Sequence, residues 1–117
     1  MAGVHSENEN EGQISDARED ILGERTICDL ADFFKIFGDV TRIRILWALH
    51  DREMCVQELS ECVGMSISAV SHQLKTLKSA HLVKSARNGK NMHYSLCDEH
   101  VELVLKTALE HVQEKER

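Results

Sequence analysis

The sequence predicts a mainly α-helical domain with one small β-hairpin. Three observations carry that prediction. Proline is absent and aromatics make up only 4% of the 117 residues, which disfavours a sandwich of short strands joined by proline-bearing turns. Apolar residues between Ile27 and Leu77 recur at three- and four-residue spacing, the period of buried helix faces. One Asn88-Gly89 pair lies between two short strand-like runs, the strongest local signal for a hairpin.

Each element follows from its own residues. Residues 1–24 are rich in Glu, Asn and Ser and poor in large apolar side chains, so they are expected to form an acidic, flexible N-terminal arm. The folded domain is expected over 25–117. Ile27, Leu30, Ala31, Phe33, Phe34 and Phe37 form the stripe of a first helix that Gly38 terminates. Asp39 is placed to cap a second helix, whose Ile43, Ile45, Leu46, Trp47 and Leu49 predict the centre of the core. A short helix over Val56–Val63 buries Val56, Leu59 and Val63, with Cys62 expected as a small core residue. Gly64-Met65-Ser66 breaks it, and Ser66 caps a helix from Ile67 to about Ala80 with Val70, Leu74 and Leu77 inward. Strands over Leu82–Ala86 and Asn91–Leu96 flank the turn, and a last helix runs from near Asp98 to about Glu114.

Composition excludes several classes of function. No apolar run approaches the roughly 18 residues of a membrane span, and the polar start of the chain is unlike a signal peptide. Cys28, Cys55, Cys62 and Cys97 are widely spaced, so reduced thiols in a cytoplasmic protein are expected. There is no nucleophile elbow, HExxH or phosphate loop, so neither an enzyme nor a small-molecule substrate is expected.

The net charge of −6 belongs to the arm. Residues 1–24 hold seven acids against one base, and the remaining 93 residues are neutral overall. Between Glu61 and Asp98 there is no acid, while Lys75, Lys78, Lys84, Arg87 and Lys90 are all basic. A local basic stretch attracts a polyanion whatever the total charge. Helix, glycine-containing turn, helix and hairpin in that order make a winged helix-turn-helix, in which the second helix reads double-stranded DNA. Ser68, Ser71, His72, Lys75 and Lys78 occupy its outward faces, and Lys84, Arg87 and Lys90 lie on the wing. Their hydroxyls, imidazole and cations suit phosphates and base edges.

The last helix carries a second constellation. Asp98, His100, His111 and Glu114 are all metal-ligand types. His100 and His111 are eleven residues apart, about 20° past three full turns, so they share a face, yet the rise between them is about 16 Å. Metal–ligand bonds are about 2 Å, so one chain cannot close all four around one ion. An antiparallel second copy of the helix brings Asp98 and His100 of one chain to His111 and Glu114 of the other, giving two sites in a homodimer. Leu103, Val104, Thr107 and Ala108 lie between the pairs and can form the seam. Two imidazoles and two carboxylates in a closed tetrahedron suit Zn(II), with Co(II) as a substitute.

The segments Phe33-Phe34-Lys35, Gly38-Asp39, Thr41-Arg42-Ile43-Arg44-Ile45-Leu46, Cys55-Val56-Gln57-Glu58-Leu59, Ser71-His72-Gln73-Leu74-Lys75-Thr76-Leu77, His81-Leu82-Val83 and Tyr94-Ser95-Leu96 resemble the ArsR/SmtB winged-helix repressors, from about Thr26 to Glu114. Asp98, His100, His111 and Glu114 match that family's zinc-sensing pattern on the last helix. The resemblance implies a homodimeric repressor that holds operator DNA when metal-free and releases it when Zn(II) binds. It also implies that His111 uses its second ring nitrogen to reach a backbone carbonyl near His81, coupling metal to reader. Other members use a Cys-x-Cys pair ahead of the reader; here Cys55 is followed two residues later by Gln57, so a soft-metal site lacks one thiolate. The alternative is a regulator of the same fold that senses thiol oxidation through Cys28, Cys55 or Cys97, or a soft metal through Cys28 and Cys55, with Cys55 joining His5 or Cys28 in a second site. Many relatives carry proline where this chain has Val40, a difference in helix capping rather than chemistry.

Overall fold

A computed structural model describes residues 7–114 and gives the element order α1 (Glu7–Asp20), α2 (Glu24–Phe37), α3 (Val40–Ala48), β1 (Met54–Cys55), α4 (Val56–Val63), α5 (Ile67–Ser79), β2 (Val83–Asn88), β3 (Asn91–Leu96) and α6 (Glu99–Glu114). These fall into two compact units, one ending at Asp32 and one beginning at Phe33. His5 lies outside the described residues.

The first unit holds α1 and most of α2. The acidic stretch expected to lack structure of its own carries a helix instead. Its Glu, Gln, Ala and Arg are good helix formers and no proline interrupts them. Residues 11–18 of α1 are all exposed.

The second unit is a winged helix-turn-helix. Its core is built by Ile45, Leu46 and Leu49 around α3, Leu59 of α4, Val70, Leu74 and Leu77 of α5, Leu82, Val83 and Leu96 beside the hairpin, and Val101 and Leu105 of α6. Phe33, Ile36 and Phe37 pack on its rim. The helix starts are set by side-chain caps. The Asp39 carboxylate accepts from the Arg42 N–H at 3.0 Å, and the Ser66 hydroxyl accepts from the Ala69 N–H at 3.1 Å. Arg42 also donates from Nε to the Ile36 carbonyl at 2.9 Å, tying α3 to the end of α2.

Two helix ends fix the geometry of the reader. Gly64 closes α4 in the left-handed region, φ +72°, where its N–H and that of Met65 both reach the Ser60 carbonyl. Alpha5 ends in a Schellman motif: His81 N–H bonds Lys78 O at 3.0 Å and Leu82 N–H bonds Leu77 O at 2.9 Å. The left-handed position falls on His81, φ +62°, where glycine is usual. Leu77 and Leu82, the apolar pair of the motif, are both fully buried.

Four details differ from expectation. A third strand, β1, pairs antiparallel with β3 through Met54↔Tyr94 and Cys55↔His93, giving the order β1-β3-β2. The hairpin ladder runs on to Asn88↔Asn91, so the turn is Gly89-Lys90 rather than Asn88-Gly89, and Gly89 takes the positive φ of 66°. Cys62 is exposed, because it falls outside the Val56, Leu59 and Val63 stripe. On α3, Ile43 and Trp47 remain 37% and 38% exposed while Ile45, Leu46 and Leu49 are buried. Trp47 stacks on His50 with ring centroids 4.2 Å apart. Among the described residues no helix is long and apolar enough to cross a membrane.

Candidate nucleic-acid interface and metal ligands

The turn at Gly64 turns the chain so that α5 presents Ser68, Ser71, His72, Lys75 and Lys78, all exposed, while Val70, Leu74 and Leu77 are buried behind them. Lys84, Arg87 and Lys90 are exposed on the wing. Lys78 has a further role that its position in the sequence did not show: its ammonium donates to Ser85 Oγ at 2.6 Å, strutting the reader against β2. Lys90 shares a depression with Ser71 of α5, whereas Lys84, on the opposite face of β2 from Ser85, lines a separate one with Asp51, Asp98, Glu99 and Glu102.

Sequence reading missed the depression between that reader and the wing. It encloses about 360 Å³ and is lined by Gln57, Ile67, Ser71, Lys90 and Met92 among others. Only the late pairing of β1 with β3, which brings the start of α4 beside the hairpin, makes it visible.

The ligand candidates form two pairs on α6. Asp98 caps the helix: its Oδ1 accepts from His100 N–H at 2.9 Å and from Val101 N–H at 3.2 Å. The Val101 bond, then the His100 bond, hold its carboxyl below the ordinary carboxylate range despite some desolvation. Its other oxygen, Oδ2, stands 3.6 Å from His100 Nδ1. At the far end His111 Nδ1 stands 3.9 Å from Glu114 Oε2. All four side chains are exposed. Among the described residues no three His, Cys, Asp or Glu side chains of one chain come together as a metal site. Among the described residues no hydrogen bond links His111 to His81.

Between the pairs Leu103, Thr107 and Ala108 are exposed and Val104 is half-buried. Beside them a groove of about 560 Å³ is lined by Ile43, Trp47, Leu105, Ala108, Leu109 and Val112. Apolar side chains thus cover much of the outer side of α6.

The cysteines are all free. Cys28 is exposed on α2, and Cys55 is half-buried at the start of α4, where its N–H donates to Glu58 Oε1 at 2.9 Å. That bond, with a second contact from the Cys55 side chain, lowers the Glu58 carboxyl.

A capped helix-turn-helix with a basic reader and a basic wing defines a winged-helix DNA-binding protein. The family model "Bacterial regulatory protein, arsR family" matches residues 39–85, which span α3 to the first half of the wing. Over 104 residues the chain is 36% identical to a transcriptional repressor SmtB homolog of Synechocystis, covering 89% of this chain and 79% of that one. It is 33% identical over 106 residues to a cadmium resistance transcriptional regulatory protein CadC homolog of Staphylococcus aureus, covering 90% and 87%. The crystal structure of the AntR antimony-specific transcriptional repressor superposes with a TM-score of 0.74 at 34% identity, over 83% of this chain and 88% of that one. The chain belongs to the ArsR family of bacterial regulatory proteins. It is a DNA-binding regulator of transcription and not an enzyme.

Proposed function

We propose that the protein is a homodimeric, zinc-responsive repressor that holds operator DNA when metal-free and releases it when Zn(II) occupies two sites shared between the α6 helices. The carrying observation is the pairing on α6: one carboxylate and one imidazole at each end, with exposed small and apolar residues between. Two ligands of one tetrahedral ion with bonds of about 2.0–2.1 Å stand roughly 3.3 Å apart. The separations of 3.6 Å in Asp98–His100 and 3.9 Å in His111–Glu114 are close to that value, so each pair fits half of such a site. The relatives' printed names, which include a cadmium resistance regulator and an antimony-specific repressor, support metal as the signal.

In this reading Asp98 keeps Oδ1 on the helix cap and offers Oδ2 with His100, while His111 and Glu114 of the second copy complete the set. When bound, Zn(II) supplies a crosslink that fixes one arrangement of the two α6 helices. DNA release requires that this arrangement differ in free energy from the one that binds DNA. The readers must meet half-sites about 34 Å apart, so a fixed dimer geometry that mis-spaces them weakens binding. With metal bound, the second ring nitrogen of His111, which makes no such bond in this structure, would reach the backbone carbonyl near His81 and couple the site to the reader.

The experiment is a zinc titration of the chain bound to its own promoter DNA, with wild type and His111→Gln compared. Wild type releases DNA with zinc, and the variant binds DNA equally when metal-free and ignores zinc. Ordinary zinc-driven release by His111→Gln contradicts the assignment.

A further inference from the structure

Ile67 is the first residue of α5 and is 50% exposed. Nothing in the fold requires an apolar residue there. The cap is made by Ser66, and the positions whose contact steadies a helix entry, Met65 before the cap and Val70 on the fourth helical residue, are already half-buried and buried. A β-branched side chain gains nothing at a helix start, where acidic residues or proline are favoured. Ile67 projects instead into the depression shared with Gln57, Ser71, Lys90 and Met92.

That depression lies on the DNA-facing surface. The N-terminal residues of a reader helix approach base edges in the major groove. Among those edges the C5-methyl group of thymine is the one apolar feature, and aliphatic side chains select it by excluding water. Ser68 and Ser71 on the same turn, and Lys90 across the depression, supply polar and cationic partners for the adjacent backbone. We infer that Ile67 is a specificity-determining residue that packs on the methyl group of a thymine in each half-site. The inference rests on α5 being the element that enters the major groove.

The test uses the full metal-free chain and a pool of random duplexes from which wild type selects its site. Each thymine of that site is then replaced in turn by deoxyuridine, which lacks only the methyl group. Burial of one methyl corresponds to about a fourfold change in affinity. At one thymine per half-site the replacement weakens wild type by about that factor, leaves Ile67→Ala unaffected, and has an intermediate effect on Ile67→Val. Thermal melting of both variants matches wild type because the side chain is half-exposed. If no thymine shows the effect in wild type, or if Ile67→Ala suffers as much as wild type, the inference is overturned. Failure of wild type to select any duplex overturns the reader assignment itself, and the inference with it.

Discussion

Replacing His81 by glycine should stabilise the protein. His81 occupies the left-handed position of the Schellman motif at φ +62°, fixed from both sides by the bonds to Lys78 O and Leu77 O. A residue with a Cβ gives up about 1–2 kcal/mol in that conformation. Glycine removes the penalty but gains conformational freedom in the unfolded chain, which takes back about 0.4–1 kcal/mol. The net expectation is about 0.5–1 kcal/mol of added stability, or roughly 3–6 °C in Tm for a domain of this size. Valine at the same position should lower stability by more than about 1 kcal/mol, because a β-branched residue tolerates positive φ worst. Helix melting followed by circular dichroism, at fixed chain concentration and without metal, measures both. An unchanged or lowered Tm for His81→Gly, with His81→Val neutral, refutes the reasoning. The glycine variant also retains the backbone carbonyl to which His111 is assigned, so its zinc response should persist.

Three further outcomes follow from the same structure. The Asp98 carboxyl is lowered by the Val101 and His100 N–H groups, so its contribution is complete above its unfolded value, near 4, and is lost as pH falls through the lower folded value. Asp98→Asn keeps a capping oxygen without a titrating charge, so urea unfolding from about pH 5 to pH 2 should show a shallower loss than in wild type. Lys75→Ala and Arg87→Ala should each flatten the plot of log affinity against log salt by about 1.8, one phosphate contact being lost from each half of the dimer; an unchanged slope removes that residue from the phosphate contacts. Cys55→Ala and Cys28→Ala should leave zinc-driven release intact, whereas loss of the response in either places the signal on the thiols.

Much of the fold was legible because its boundaries are written in local chemistry. Asp39, Ser66 and Gly64 act as the caps that their residue types announce, and α4 begins and ends where its stripe does. Beta1 was not legible: two residues are too few to show a period, and its partner β3 lies some forty residues away. Trp47 and Ile43 read as core because apolarity alone does not distinguish a buried interior from an exposed apolar groove. The turn shifted by one residue because the ladder extends to Asn88↔Asn91 and leaves Gly89 as the position needing positive φ. The proposed ligands Asp98, His100, His111 and Glu114 were singled out by spacing on a helix, since eleven residues bring His100 and His111 to one face. The helix cap at Asp98 was legible from its residue type and place, whereas the Lys78–Ser85 strut and the setting of Ile67 depend on neighbours that only the folded chain supplies.

The central claim is that each metal site draws half its ligands from each of two chains. A chain carrying Asp98→Ala and His100→Ala, and another carrying His111→Ala and Glu114→Ala, should each fail to give the intense visible absorption of tetrahedral Co(II). Refolded together, they should form mixed dimers with one complete site, and the absorption should return at one Co(II) per mixed dimer. Absorption from either variant alone, or none from the mixture despite dimer formation, contradicts the claim.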